Sequence, residues 1–401
     1  MRIAVISDTE CSGGAGIAAN NFCEEWKRSS HNVVRLVGKN ESLISNQLTI
    51  PFFDNRVLNL LTSISAFSPI SFKSIISKIR ENSQIKQLIH TVGSFRPDII
   101  NIHNLHSASL PISIVKNSLQ YAPVVWTLHD MWSFCGKPYN EYYPQSDAAQ
   151  KTEIDSFWND QAENKFSLNA VSPSKWLAQE SNQSGKYWDA NQISVIKNGL
   201  SLDLYTNKNK EKARATLGIK SKYSHFILLS SANLDEERKG VQFAIPALKK
   251  LQPWNFGLVL MGHNGESIQN EFPQEEILDL GFIQDERLKS IVYSAVDILL
   301  HPAPIDNLPN TIAESMASGT PVIAFNRCGM REMVVPNQNG WLSPEMNSES
   351  LSATIIKAVE NINSNSEYSD NCRNFAEENY DIRNQSKLYI ELFKKLSVFN
   401  H

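Results

Sequence analysis

The chain reads as an α/β protein of two doubly wound, Rossmann-like domains, each a parallel sheet with helices on both faces. Three observations predict this. Short apolar runs alternate with longer segments of helical spacing along most of the 401 residues. The runs are continuously apolar, as in strands buried on both faces of a parallel sheet. The series ends near residue 200 and then begins again, which gives one series per domain.

In the first series RIAVIS (2–7) is a predicted strand and GAGIAANNFCEEW (14–26) a helix. NVVRLVG (32–38), PDIINIH (97–103), PVVWTLHD (123–130), LNAVS (168–172) and ISVIKNG (193–199) follow as strands. The second series has HFILLSSA (225–232), FGLVLMG (256–262), ILDLGFI (277–283), VDILLHP ending at Pro302, and PVIAF (321–325). VQFAIPALKKL (241–251) and DERLKSIVYSA (285–295) have helical spacing between them. The expected division is residues 1–200, residues 201–379, and a terminal helix over 380–401 that packs back on the first domain.

The bulk numbers fit two ordinary cores. The chain is 41% hydrophobic, 20% charged and 9% aromatic, enough apolar material for both domains. A net charge of −4 does not suggest a nucleic-acid partner. Cys11, Cys23, Cys135, Cys328 and Cys372 are scattered, with no C-x-x-C pair, so free thiols in a reducing cytoplasm are expected. MRIAVISDTE has too short an apolar run for a secretion signal, and no stretch of about 18 apolar residues suggests a spanning helix. A cytoplasmic location is expected, with contact at the inner face of the membrane left open.

Doubly wound domains bind ligands beyond the C-terminal ends of their strands. Four stretches there carry candidate chemistry. SDTECSGGAGIAA (7–19) turns from strand to helix on Gly13, Gly14 and Gly16, which allows close backbone approach to an anion at a helix N-terminus. A plain tight turn explains the same spacing. NIHNLHSASLP (101–111) and WTLHDMWSFCGKPY (126–139) put His103, His106, His129, Asp130 and Trp132 at strand ends, as a general acid/base group, a sugar pocket or a metal site, with structural histidines the plainer reading. SSANLDEERKGVQFAIPAL (230–248) places Arg238 and Lys239 at a helix entry, where cations are disfavoured unless an anionic ligand binds there; two solvated surface charges are the plainer reading. HPAPIDNLPNTIAESMASGTPV (301–322) sets Asp306 before a helix and Glu314 within it, with Pro309 suited to the first turn. The plainer reading makes Asp306 a helix cap and Glu314 a solvated charge. No D-x-D, H-E-x-x-H or G-x-S-x-G occurs, so a metal-bridged phosphate site built on close carboxylate pairs is not indicated.

This set of motifs resembles the retaining glycosyltransferases of family 4, which have the GT-B fold. The most specific element is an acid, seven residues, a second acid, and then A-x-G-T-P-V-I: here Asp306, Glu314 and ASGTPVIAF. The glycine-rich loop, TLHD, AVSPS, VIKNG and RKG occur in the family's order, and TLHDMW resembles members that build bacterial surface polysaccharides. Two positions depart from the pattern. Asp306 stands where the family usually has Glu, and Ala232-Asn233 stands where a Gly-Arg pair is usual.

The resemblance implies roles. Gly13 and Gly14 would approach the donor diphosphate, and His129 would contact the transferred sugar. Lys239 with Arg238 would neutralise the leaving diphosphate. Asp306 and the N–H groups after it, at Asn307 and Leu308, would bind sugar hydroxyls. Glu314 would hold the ribose, and Phe282 and Ile283 would lie near the base. His103, His106, Asp130 and Trp132 fall to the acceptor side.

The implied reaction moves a sugar from a UDP- or GDP-linked donor to a glycan or a polyprenyl-diphosphate-linked saccharide, with no metal or other cofactor, in O-antigen, capsule or exopolysaccharide synthesis. A nucleotide-sugar epimerase and a non-catalytic nucleotide-sugar binding protein are the competing classes. Residues 55–92 include a stretch with Lys73, Lys78, Arg80 and Lys86, which would suit an anionic membrane surface or simply a solvated helix face.

Overall fold

Strand β1 (Arg2–Thr9) runs through the middle of a seven-stranded sheet with β2 (Asn32–Lys39), β3 (Thr49–Pro51), β4 (Ile99–Ile102), β5 (Val124–Thr127), β6 (Leu168–Ser172) and β7 (Ile193–Val195). The order is β3-β2-β1-β4-β5-β6-β7 and every recorded pairing is parallel. The second sheet holds β8 (His225–Asn233), β9 (Phe256–His263), β10 (Ile277–Asp279), β11 (Ile298–His301), β12 (Val322–Phe325) and β13 (Gly340–Ser343) in the order β10-β9-β8-β11-β12-β13, again all parallel. The computed structural model describes residues 1–39, 49–51, 70–106, 110–139, 148–159, 167–184, 193–207, 209–219, 223–251, 256–272, 277–364 and 367–398.

The chain divides into two units. One comprises Met1–Pro173, Leu177–Ile196 and Gln385–His401, the other Ser174–Trp176 and Lys197–Asn384. The crossing points at 196/197 and 384/385 differ from the 200 and 379 that the strand pattern suggests, because the chain already joins the second unit at KNG. There Leu200 bridges Asp381, and a Cβ on Gly199 would strike Ile382.

Continuous apolar sequence explains both sheets. Ile3 to Ile6 on β1 and Ile227 to Leu229 on β8 are buried, as strands covered by helices on both faces must be. Burying a full aliphatic side chain contributes roughly 1.5–3 kcal/mol.

Five helices matter below: α1 (Gly13–Arg28), α2 (Ile70–Phe95), α3 (Val241–Lys249), α4 (Asn310–Ala317) and α5 (Ile382–Val398). On the aromatic face of α5, Tyr389 and Phe393 pack against Phe22 and Trp26 of α1.

Several sheet elements differ from the sequence reading; β5 ends at Thr127 and β7 at Val195, short of the expected 130 and 199. β3 and β13 are strands where none was expected. Each is only three or four residues long and is defined by pairing with an edge: Arg35 to Val37 for β3, Val322 to Phe325 for β13. β10 stops at Asp279 instead of running to Ile283, because Gly281 takes φ +63° and turns the chain out of the sheet. Residues 55–67 and the side chain of Lys73, part of the basic stretch noted above, lie outside the described residues.

Candidate active site

Each sheet reverses its strand order once, between β1 and β4 in the first and between β8 and β11 in the second. Such a switch point opens a crevice because the connections on either side leave in opposite directions. Most candidate residues follow the C-terminal ends of these four strands and of β5; Phe282 and Ile283 follow β10.

In the second unit Arg238 and Lys239 follow β8 in a short 3-10 turn, Glu237–Lys239. Asp306 follows β11. Parallel pairing of β8 with β11, Leu229 opposite Leu300, brings together side chains 67 positions apart. Lys239 Nζ donates to Asp306 Oδ2 at 3.0 Å, and Arg238 Nη1 donates to the same oxygen at 3.4 Å. Arg238 Nε also donates to Glu236. His301 Nε2 lies 3.8 Å from Asp306 Oδ2.

Burial pushes the Asp306 carboxyl up, but the Lys239 and Arg238 cations more than reverse this and hold it well below the usual carboxylate range. Burial lowers His301 to about 4, against the pull of Asp306, so it is neutral at pH 7.

Gly240 makes the arrangement possible. Its φ of +79° reverses the chain after Lys239, and a Cβ there would stand 1.8 Å from the Pro302 carbonyl oxygen.

Asp306 does not cap α4. The residue before the first helical turn is Pro309, which has no side-chain cap bond. Asp306 Oδ1 instead accepts from the Asn307 N–H at 3.0 Å. That N–H was expected to face a ligand, and here the neighbouring carboxylate takes it. Asn307 is buried and its side chain accepts from Ser174 Oγ at 2.5 Å; Leu308 is buried too.

Glu314 is not a solvated charge but only 4% exposed, with the Tyr293 hydroxyl donating to it at 2.9 Å. Burial first, and the nearby Glu314 carboxylate second, push the hydroxyls of Tyr205 and Tyr293 far above their ordinary range. Phe282 is half exposed, its ring stacked on His263 at 4.6 Å and 11°. The pair presents a flat aromatic face of the kind a planar ring can stack on. Ile283 beside it is buried.

In the first unit Gly13 takes φ +66° at the start of α1 and is exposed with Gly14, while a Cβ on Gly16 would meet Thr9 Oγ1 at 2.3 Å. Beneath this turn lies Arg35, 2% exposed. Its Nη2 donates to the carbonyls of Thr9, Glu10 and Gly16 and to Ser7 Oγ, at 2.6–3.3 Å, and its Nη1 to Asn20.

The histidines meet where β4 and β5 end. His103 Nδ1 is 2.8 Å from His129 Nε2, and His103 Nε2 is 2.9 Å from Asn101 Oδ1. His106 lies 3.4 Å from Asp130 and its ring stacks on Trp132 at 5.4 Å. Asp130 Oδ1 accepts the Trp132 N–H at 2.9 Å. Burial, with help from His106, lowers His129 to about 3, and burial next to His129 lowers His103 strongly.

Sequence reading brought out most of these residues but missed Arg35, Asn101, His263, Tyr293 and His301. Arg35 had a readable mark, a lone cation inside an apolar strand. Asn101 had the same mark as a lone amide in IINIH. Tyr293 and His263 had none, because each matters only through a partner on another element.

The chain matches the family model described as Glycosyltransferase Family 4 over residues 12–204 and that described as Glycosyl transferases group 1 over residues 209–377. It is 26% identical to the glycogen synthase of Thermodesulfovibrio yellowstonii over 220 residues, 53% of this chain and 44% of that one. It is also 26% identical to the amylovoran biosynthesis glycosyltransferase AmsK of Erwinia amylovora over 182 residues, 42% of each. The matched segments thus span about half the length of these curated relatives. Anabaena HepE, solved with UDP-glucose, superposes with a TM-score of 0.74 at 18% identity, covering 99% of this chain and 100% of that one. Two family models that between them run from residue 12 to residue 377, together with two all-parallel doubly wound sheets, place the chain among the GT-B glycosyltransferases of the family 4 type.

Proposed function

We propose that the protein transfers a sugar, with retention of anomeric configuration, from a nucleotide-diphosphate sugar to a glycan or lipid-linked saccharide in the synthesis of a bacterial surface polysaccharide. The observation that carries this reading is the pair of cations converging on Asp306 at the switch point of the second sheet. Departure of a nucleoside diphosphate builds negative charge on the phosphate oxygens. Lys239 and Arg238, held in place before any ligand arrives, supply the opposite charge without reorganisation. The reading is further supported by the UDP-glucose complex of HepE and by relatives such as AmsK, whose name assigns it to amylovoran biosynthesis.

In this reading the base stacks near Phe282, with Ile283 behind it, and Glu314 binds the ribose, its carboxylate oriented by Tyr293. Asp306 binds hydroxyls of the sugar next to Asn307 and Leu308. Gly13 and Gly14 let the backbone approach the diphosphate, and Arg35 fixes their turn from below. His129 meets the transferred sugar, while His103, His106, Asp130 and Trp132 face the acceptor. The glycosyl centre passes through an oxocarbenium-like state, and the acceptor hydroxyl attacks from the side the diphosphate leaves, giving its proton to a departing phosphate oxygen. Neither a metal nor another cofactor takes part. The work is done at the inner face of the cytoplasmic membrane; among the described residues no helix is long and apolar enough to cross a membrane.

The test is a panel of UDP-, GDP- and ADP-sugars incubated with and without lipid-linked saccharide. Free nucleoside diphosphate, released only when acceptor is present and accompanied by an α-linked product from an α-linked donor, is the expected result. Lys239→Ala should lower turnover by about 100-fold, as for removal of one preorganised charge-stabilising donor. Interconversion of donors without acceptor, or wild-type turnover in Lys239→Ala, would overturn the reading.

A further inference from the structure

His301 is the last residue of β11 and is only 3% exposed. It stands where a strand covered on both faces reaches the switch point of the second sheet. Burial keeps its ring neutral at pH 7. A neutral imidazole has one N–H and one bare nitrogen, and both need partners where water is excluded.

Only one nitrogen has a partner. Nδ1 lies 3.4 Å from the Thr311 hydroxyl at the start of α4. Nε2 is buried and has no hydrogen-bond partner. The Asp306 carboxylate is 3.8 Å from it, too far for a hydrogen bond. A bare nitrogen there would set its lone pair against those of the carboxylate. The tautomer assigned on these contacts carries its proton on Nε2, and Nδ1 accepts from Thr311. The ring then holds a buried N–H donor without an acceptor, which is costly in a native protein and calls for a reason.

A second donor stands beside it. Lys239 gives one ammonium hydrogen to Asp306 at 3.0 Å and has no other side-chain partner among the described residues. Pairing of β8 with β11, Leu229 opposite Leu300, sets the two side chains on one small cavity, which Ser230, Ser231 and Pro302 also line. A cation and a neutral N–H at one cavity suit an atom that only accepts hydrogen bonds and carries negative charge. A phosphate oxygen meets both conditions.

We propose that His301 is a phosphate-binding residue, whose Nε2–H and the Lys239 ammonium together hold one oxygen of the leaving diphosphate. That the ligand is the diphosphate of a nucleotide sugar rests on the function proposed above. That His301 and Lys239 form an oxyanion site does not.

The test is calorimetric titration of the full chain and of two variants, His301→Leu and His301→Gln. The probes are UDP, GDP and ADP, their nucleosides, and inorganic pyrophosphate. Leucine fills similar space without an N–H, and glutamine keeps an N–H near the place of Nε2. His301→Leu should bind the preferred nucleoside diphosphate and pyrophosphate roughly tenfold more weakly, the worth of one hydrogen bond to a charged group. Its affinity for the nucleoside should not change, and His301→Gln should recover most of the loss.

Equal weakening of nucleoside and diphosphate in His301→Leu would overturn the proposal, since that marks a distorted site. Unchanged diphosphate affinity would overturn it too and leave the cavity to an ordered water. If His301→Leu does not fold, the wild-type protein labelled with 15N-histidine decides. Its His301 Nε2 signal, assigned with His301→Gln, should carry the proton and shift when pyrophosphate is added; a signal that stays put overturns the proposal. Pyrophosphate held through His301 by a protein that binds no nucleoside diphosphate would sink the proposed function and leave the oxyanion site standing. Nucleoside diphosphate bound without regard to His301 would do the reverse.

Discussion

Asp306 carries the second unit's polar site on one carboxylate. It accepts from Lys239, Arg238 and the Asn307 N–H, and His301 lies beside it. The three charged side chains keep only 11–19% of their surface. Breaking a well-buried ion group by removing one member leaves uncompensated charge and costs about 3–5 kcal/mol. With this residual exposure the lower end applies. Asp306→Asn is therefore expected to destabilise the protein by about 3 kcal/mol. Asp306→Glu keeps the charge, adds one methylene and restores the residue usual in the family pattern, so about 1 kcal/mol is expected from crowding alone. Denaturant titration of both variants checks this. Equal losses in the two would mean that shape, not charge, is what Asp306 supplies.

One glycine decides where the β8–α3 turn can lie. Gly240 and Gly218 both have positive φ, at +79° and +69°. Only Gly240 also touches backbone, since a Cβ there would strike the Pro302 carbonyl, whereas at Gly218 it would meet nothing within 4 Å. Gly218→Ala should then cost only the conformational strain of about 1 kcal/mol, and Gly240→Ala at least about 3 kcal/mol. Under the proposed function, Gly240→Ala should also weaken binding of the nucleoside diphosphate, because Lys239 is the residue before it. Thermal melts of the two variants, with titration of UDP, GDP and ADP, separate the effects; similar costs would mean that the close approach to β11 is not limiting. This contact also marks where sequence reading stops. β1, β2, β6, β8 and β9 were readable because continuous apolar residues report burial on both faces. β3 and β13 were not, because TIP and GWLS become strands only by pairing with an edge formed elsewhere. Lys239 and Asp306 were readable one by one as strand-end residues. Their contact was not, since it depends on β11 crossing over to lie beside β8, and strand order leaves no mark in local sequence.

Taken over the whole molecule, both switch points bury imidazoles as neutral groups, and this links stability to pH. His129 is lowered to about 3 in the first unit and His301 to about 4 in the second, mainly by burial. In the unfolded chain each titrates near 6.5. Between those values the unfolded state binds a proton that the folded state does not, so stability rises with pH. Their contribution is complete above about pH 6.5 and is lost as pH falls towards the folded values, at about 1.4 kcal/mol per pH unit for each group. Asp306 acts in the same sense further down. Its depressed carboxyl contributes stability above the unfolded value near 4, which is lost only below that. From pH 6.5 to 5 each histidine should therefore remove about 2 kcal/mol, or about 1 M of urea midpoint at an ordinary slope. Because the histidines lie in different units, the loss should be read unit by unit. His301→Gln should flatten the pH dependence of the second unit's transition and leave the first unit's unchanged, and His129→Gln should do the opposite. Urea midpoints that stay constant between pH 7.5 and 5 in the wild-type protein would show that these imidazoles titrate in the folded state as they do in the unfolded one, and that burial does not hold them neutral.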